Sequence, residues 1–374
     1  MMIFQNKKII FLLKSFTLGG AEKQALNFAA YLQNELNCSI FIYSYIKTNE
    51  SKLFYEECEK LGLNNLRLEK NPLSASGNFK YIKRRIKIFL LGIKLRKHNP
   101  DIIIPYLNPP SIIAVLCYKI SGAKITFWHH RGADYYRGDY IEKIAVKKTP
   151  FFLANSIEGK KELESKFKIK KGYFLPNFST VNKINTNNFL LKNKGIKGKV
   201  VLGMIAHFRE EKLQIILIEV FSKLLQKNKN IHLVLVGDAL DKKKFNEVKK
   251  YIFINNLKDS ITILHNTKAE DVLPCLDIGV LISLKEGMPN TVMEYMGYSL
   301  PIVVTKHDGC VSLLGSNYKY FIDNKNEVDQ LNKLEKLILE EKERKKIGEQ
   351  NYMSLQNNFT IEKYINRLTV ILNS

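Results

Sequence analysis

Two glutamates, Glu286 and Glu294, carry the most chemistry in this 374-residue sequence. Between Ser283 and Thr305 the chain reads as the end of a buried strand, a Gly287-Met288-Pro289 turn, a helix near Asn290–Tyr298 and a second strand. Glu286 falls on the loop before that helix and Glu294 in its second turn. The first amides of a helix have no intrahelical acceptor, and the helix dipole favours negative charge there. Gly287, Met288, Pro289, Asn290 and Thr291 therefore frame a site for a diphosphate. A carboxylate accepts two hydroxyl hydrogen bonds, which suits a ribose diol or a sugar ring. Two bare glutamates at this spacing would read as solvated side chains; Gly, Pro and Asn at the turn argue for a built site.

Three further constellations suit the same ligand. Phe16-Thr-Leu-Gly-Gly-Ala-Glu22 follows an apolar run. Gly19 and Gly20 there allow close backbone approach and lead into a helix start, although a tight turn needs glycine in any case. A G-x-G-x-x-G fingerprint is absent, which counts against a dehydrogenase. Gly203-Met-Ile-Ala-His-Phe-Arg-Glu-Glu-Lys212 places His207, Arg209 and Lys212 at the end of another strand. Cations there can neutralise phosphates and stabilise a departing nucleoside diphosphate, whereas a solvated loop would account for Arg209 and Lys212 alone. Trp128-His-His-Arg-Gly132 ends a strand of the first half. Its neighbours face opposite ways, so either His129 or His130 is the candidate for the site. No Asp-x-Asp occurs in the chain, so a paired-aspartate clamp for a metal on the diphosphate has no ligand set, and no metal is expected.

Positioning these residues requires strands that end where they begin. Apolar runs at Lys8–Leu13, Ser39–Tyr45, Asp101–Tyr106, Lys124–Trp128, Phe151–Ala154 and Tyr173–Leu175 alternate with amphipathic stretches such as Ala21–Leu32. The series restarts at Val200–Ile205, His232–Val236, Ile261–Leu264, Ile278–Ile282 and Pro301–Val304. This is the βαβ pattern of parallel sheets covered by helices, in two doubly wound units joined in the polar stretch Thr180–Lys199. A Lys/Glu-rich helix at about Glu327–Glu349, a polar break at Gln350–Asn358 and a last helix at Ile361–Leu372 complete the chain.

The Glu286–Glu294 string closely resembles the Glu–seven residues–Glu motif of the family-four retaining glycosyltransferases, glycosyl transferases group 1. Their usual form is Glu-Gly-Phe-Pro-Asn…Glu-Ala followed by Gly-x-Pro-Val-Val. Glu286, Gly287, Pro289, Asn290, Glu294, Pro301, Val303 and Val304 match it. Gly19-Gly20-Ala21-Glu22 matches the family's Gly-Gly-Ala-Glu. Lys212 matches the lysine of Gly-Arg-Leu-x-x-x-Lys, with His207 at the arginine position; a related pattern, Ala-Asn-Phe-Arg-x-x-Lys, fits Arg209. Val234–Asp238 and Leu175–Asn177 resemble the family's Val-Gly-Asp-Gly and Ile-Pro-Asn-Gly turns, with Ala239 and Phe178 in place of the final glycines.

The resemblance implies a GT-B fold, two Rossmann-like α/β domains facing across a cleft. Residues 1–182 would form the acceptor-side domain and 183–355 the nucleotide-sugar-binding domain, with 356–374 packing back on the first. It implies that Glu286 contacts the donor sugar or phosphates and Glu294 the ribose. Gly19, Gly20, Lys212 and either His207 or Arg209 would hold the diphosphate, with His129 or His130 near the sugar and acceptor. It further implies metal-independent, cofactor-free transfer of a hexose or N-acetylhexosamine, with retention, to a lipid-linked oligosaccharide or surface polysaccharide. A same-fold epimerase or a soluble-glucan transferase is the competing reading.

Charge bears on partners. Lys and Arg number 59 against 36 Asp and Glu, a net +23, and residues 1–182 carry +16 of it. Such a field attracts polyanions, although Lys, Ile and Asn are abundant throughout the chain. It is diffuse, and no nucleic-acid-binding signature accompanies it, so nucleic acid is not an expected partner. Lys80–His98 holds eight basic residues and no acid, with apolar Ile82, Ile86, Phe89, Leu90 and Ile93. It reads either as a sheet-covering helix or as a face for an anionic membrane surface. Five scattered cysteines suit buried thiols. Lys7, Lys8 and Lys14 interrupt the apolar N-terminus, which argues against a signal peptide. The expected location is cytoplasmic, with attachment to the inner face of the cell membrane as an extension of the charge argument.

Overall fold

The computed structural model describes residues 3–46, 51–130, 137–179, 181, 196–265 and 267–374. Most of the expected junction Thr180–Lys199 lies outside them, as do Arg131, Gly132 and the side chain of His130. The chain forms two compact units, Met1–Thr180 with Ile361–Ser374, and Val181–Thr360. All five cysteines are free thiols.

The first unit runs β1 (Lys8–Leu13), α1 (Gly20–Leu36), β2 (Ser39–Ser44), α2 (Lys52–Lys60), β3 (Leu66–Leu68), α3 (Lys80–Arg96), β4 (Ile102–Pro105), α4 (Asn108–Ser121), β5 (Trp128–His130), α5 (Tyr140–Lys148), β6 (Phe152–Ala154), α6 (Ile157–Phe167) and β7 (Tyr173–Phe174). A parallel sheet has the order β3-β2-β1-β4, and a second the order β5-β6-β7. Strand alternation sends β1 into two cores: Ile9, Phe11 and Leu13 join Ala25, Phe28, Ala29 and Leu32 of α1. Ile10 and Leu12 join Ile88, Leu91 and Leu95 of α3. Burial on both faces is why the run is apolar throughout after Lys8.

Several expectations are corrected here. The strand expected at Lys124–Trp128 begins at Trp128 instead, paired with Phe152. Ile125 makes only an isolated bridge to Ile102. Trp128 has its indole N–H bonded to Asn108 and its ring packed on Phe167, so the apolar run around it is partly a loop passing through the core. The three-residue β3 carries no readable alternation and is set by its register with Ile42–Ser44. On α3 the residues Ile82, Ile86, Phe89, Leu90 and Ile93 point outward; the buried ones are Ile88, Leu91, Gly92 and Leu95.

The second unit runs β8 (Val200–Ile205), α7 (Gln214–Lys227), β9 (Ile231–Val236), α8 (Lys242–Ile254), β10 (Ile261–Leu264), β11 (Ile278–Leu281), α9 (Asn290–Gly297), β12 (Ile302–Thr305), α10 (Asp308–Leu314), β13 (Phe321–Ile322), α11 (Glu327–Leu339) and α12 (Glu341–Asn358). Its strands are all parallel in the order β10-β9-β8-β11-β12-β13. That is the doubly wound arrangement in which the strand order reverses between β8 and β11. The single helix expected over Glu327–Glu349 is broken at Glu340, where Arg344 donates to the carbonyls of Leu337 and Ile338 and satisfies the end of α11. The break expected at Gln350–Asn358 is helical, because Asn351 and Leu355 are buried and Asn351 bonds the Leu300 carbonyl. The last helix, α13 (Ile361–Leu372), belongs to the first unit, where Tyr364 packs edge-on to Phe28 and beside Phe178.

Candidate active site

In an open α/β sheet a ligand binds beyond the carboxyl ends of the strands, where the order reverses. In the second unit that point lies between β8 and β11. The segment leaving β8 carries His207, Arg209 and Lys212, and the segment leaving β11 carries Glu286 to Asn290.

Backbone bonds lace the two segments together. Lys212 bridges Ser283, Leu213 N–H donates to Ile282 O at 3.1 Å, and Leu284 N–H donates to Glu211 O at 2.9 Å. The Lys212 ammonium is thereby held on the Glu286 carboxylate, with the two side chains only 18 and 10 % exposed. Ser283 is fixed in turn from β12, whose Thr305 hydroxyl accepts from Ser283 N–H at 3.1 Å.

The helix start is equally constrained. Pro289, with β-region torsions, precedes α9, and among the described residues no side chain caps it. Thr291 donates to Ile205 O at 3.1 Å, pinning the first turn of α9 to the end of β8. Met288 and Pro289 are buried beneath the turn, while Gly287, Asn290 and Thr291 are half-buried. Gly309 of α10 lies against this turn: a Cβ there would fall 1.4 Å from Gly287 O, so only glycine allows the approach. Glu294 is buried in the second turn of α9.

His207 is half-buried and accepts from Asp238 N–H through Nδ1 at 3.3 Å, which assigns the proton of the neutral ring to Nε2. Burial lowers its pKa; Arg209 and Lys212 push the same way, against Asp238. Gly237 makes room for this arrangement, since a Cβ there would lie 2.2 Å from Ala206 O. Arg209 is exposed, its nearest carboxylate being Glu211 at 3.7 Å. The second unit thus brings together His207, Arg209, Lys212, Glu286, Gly287, Met288, Pro289, Asn290, Thr291 and Glu294. Lys212 and a helix start can oppose a diphosphate, and two carboxylates can accept from hydroxyls.

The remaining candidates belong to the first unit. Gly19 precedes α1 and Gly20 opens it. The Glu22 carboxylate lies over this helix start, 2.8 Å from where a Cβ at Gly19 would be, so the turn already faces a negative charge of its own. His129 is 1 % exposed, its ring edge-on to Tyr106 at 4.7 Å and its backbone N–H bonded to Ser111. Leu175–Phe178 is tied to α1 by a reciprocal pair: Gln24 donates to Phe178 O at 2.6 Å and accepts from Phe178 N–H at 3.3 Å.

Two positioning residues escape a reading of motifs. Tyr295 is fully buried, and its hydroxyl accepts from Ile205 N–H at 2.8 Å and reaches Gly203 O at 2.9 Å. Its ring occupies the space that Gly279 leaves free, where a Cβ would meet it at 2.5 Å. A tyrosine on the inner face of an apolar helix needs a partner for its hydroxyl, and that was the available signal. Gly309 had a weaker one, a glycine next to Asp308 at a helix start.

Among the described residues, no three His, Cys, Asp or Glu side chains are grouped to hold a metal ion, and no helix is long and apolar enough to cross a membrane.

Residues 187–353 match the family model described as Glycosyl transferases group 1. An uncharacterised glycosyltransferase of Methanocaldococcus jannaschii is 30% identical over 258 residues, 63% of this chain and 62% of that protein. The chain therefore matches about three fifths of that relative's length. The capsular polysaccharide biosynthesis glycosyltransferase CapM of Staphylococcus aureus is 22% identical over 300 residues, 75% of this chain and 78% of that protein. The crystal structure of Anabaena HepE in complex with UDP and glucose superposes with a TM-score of 0.78 at 15% identity, covering 98% of this chain and 100% of that one. At such identity the likeness bears on the fold, which is GT-B. Residues 187–353 are thus similar to the glycosyl transferases group 1, and the chain as a whole is similar in fold to HepE.

Proposed function

We propose that this protein transfers a hexose or N-acetylhexosamine from a nucleotide-sugar to a lipid-linked oligosaccharide or surface polysaccharide, without a metal and with retention of anomeric configuration. The observation that carries the reading is the meeting of Lys212, Glu286 and the start of α9 at the switch point between β8 and β11. Lys212, with Arg209 or His207 and the first amides of α9, receives the negative charge that grows on the departing nucleoside diphosphate. Glu294 accepts from the ribose hydroxyls and Glu286 from the sugar. The acceptor hydroxyl attacks the face the diphosphate leaves, and its proton passes to the leaving phosphate oxygen. On the first unit the candidates are Gly19 and Gly20 at the start of α1 and either His129 or His130 at the end of β5.

The donor class is supported by the UDP and glucose that HepE holds. The acceptor class is supported by the naming of CapM for capsular polysaccharide biosynthesis and by the basic first half of the chain. The working place that fits such an acceptor is the cytoplasmic side of the cell membrane, with peripheral attachment.

A thermal-shift and hydrolysis screen across nucleotide-sugars tests the reading, repeated with Glu294→Ala. At least one donor should raise the melting temperature of the wild type and not that of the variant. Failure of every nucleotide-sugar to stabilise the wild type would remove the donor claim. Anomeric NMR of the product reports retention or inversion.

A further inference from the structure

Helix α3 has two apolar faces, and the fold uses one. Ile88, Leu91 and Leu95 enter the core with Ile10 and Leu12 of β1. Gly92 lets α3 press on α4: a Cβ there would lie 2.9 Å from the Ile120 side chain and 3.2 Å from Cys117 O. On the other side, Phe79, Ile82, Ile86, Phe89, Leu90 and Ile93 remain 47 to 66 % exposed. At about 100° per residue these six fall within an arc of roughly 100°, opposite the buried set, and at ~1.5 Å per residue the stripe is about 20 Å long. Exposed apolar residues are common singly; a continuous stripe marks an interaction surface.

The flanks of the stripe are cationic. Lys80, Lys83, Lys87 and Lys94 follow one side, Arg85 and Arg96 the other, and no Asp or Glu occurs from Lys80 to His98. Lys94 pairs with Glu69 and Lys87 donates to Ser74 O, while Arg84 is turned inward to Asp139. The outward charge is therefore carried chiefly by Lys80, Lys83, Arg85 and Arg96.

We propose that the outer stripe of α3 docks the protein on an anionic bilayer. The helix lies in the plane of the interface, its six apolar side chains in the acyl boundary and its flanking cations against the headgroups. Charge selects this occupant. Two copies packed stripe to stripe would bring cationic flanks together, whereas anionic headgroups on either side of the helix neutralise both flanks at once. Docking gives the proposed lipid-linked acceptor its address on the fold and rests on that reading for its purpose alone; the stripe itself is independent of donor chemistry.

Flotation of the full-length protein with phosphatidylcholine vesicles, with and without phosphatidylglycerol, tests the assignment. The wild type should float with the mixed vesicles, lose binding as salt rises, and stay behind with phosphatidylcholine alone. Ile86→Glu with Phe89→Glu should cut the partition coefficient by more than about tenfold, and Lys83→Gln or Arg85→Gln by about fivefold each. Melting temperature and nucleotide-sugar hydrolysis should not change in these variants, which separates a failure of docking from a failure of folding or of the transfer reading. Absence of the wild type from mixed vesicles would overturn the proposal, as would wild-type binding by the double glutamate variant. So would a dimer in sedimentation that the double glutamate variant abolishes, because a second copy would then cover the stripe.

Discussion

Replacing Lys212 by Met separates what the cation does for the fold from what it does for the donor. Its side chain is 18 % exposed and that of Glu286 10 %. Exposed bridges contribute about 0–1 kcal/mol, whereas removing one partner of a fully buried pair costs about 3–5 kcal/mol. A pair at this depth falls between, so Lys212→Met should cost about 2 kcal/mol, because Met keeps much of the apolar stem and loses the charge. For a unit of this size each kcal/mol moves Tm by ~2–4 °C, so melting should fall by about 4–8 °C. Adding Glu286→Gln removes the stranded carboxylate, and the double variant should regain most of that loss. Transfer behaves otherwise. A cation facing the diphosphate as it departs contributes on the order of 10²–10³ in kcat, and the second substitution cannot restore it. Scanning fluorimetry and release of nucleoside diphosphate read the two effects separately. A Lys212→Met protein that melts with the wild type would refute the energetic reasoning. A double variant that regains wild-type turnover would refute the catalytic one.

Gly309→Ala places a methyl within 1.4 Å of Gly287 O and must part α10 from the Gly287–Pro289 turn. Titration calorimetry should show loss of nucleoside diphosphate binding beyond any change in melting; unaltered affinity would show that the turn is not the binding element. Tyr295→Phe removes the hydroxyl that accepts from buried Ile205 N–H, so chemical denaturation should register a loss of about 1–3 kcal/mol. Burial lowers the pKa of His207, so as pH falls below about 6.5 the unfolded chain takes up its proton before the folded one does. The stability given by the neutral ring is therefore complete above that value and lost on acidification. Melting temperature should decline less between neutral and mildly acid pH in His207→Gln than in the wild type; identical slopes would show that His207 is not among the groups responsible.

The geometry of the candidate site was legible where the signal is local. A turn of Gly, Pro and Asn between a buried strand and a helix declares itself, and so does a lysine a few residues beyond a strand end. What brings Lys212 onto Glu286 is not local. The two are separated by β9, β10 and their helices, and they meet because β11 returns to pair with β8, outside the run β8-β9-β10. Nothing in the spacing of the strands dictates that return. Tyr295 escaped for the same reason: its partners Gly203 and Ile205 lie on β8, which only the sheet order places beneath α9. The strand at Trp128 was misplaced because an apolar run reports burial, and a loop threaded through a core is buried as well as a strand is.

Helix α3 shows the converse, a pattern that was visible and left two readings open. Its most evident apolar periodicity, Ile82, Ile86, Phe89, Leu90 and Ile93, is the exposed set. Periodicity establishes that a helix has an apolar face; where there are two, it does not say which one the sheet takes. Gly92 discriminates. Glycine inside a helix costs roughly 1 kcal/mol relative to alanine, a cost tolerated where another element approaches too closely for a side chain. That approach is α4, through Ile120 and Cys117. Oriented by Gly92, the helix must turn Ile88, Leu91 and Leu95 inward, and the larger, cation-bordered stripe is left outside. Its apolar content then cannot be ascribed to the core of this unit, which is already filled from the opposite face. On the docking proposal the stripe meets an anionic bilayer, and the outward cations that favour such a partner are Lys80, Lys83, Arg85 and Arg96, with no acid between them.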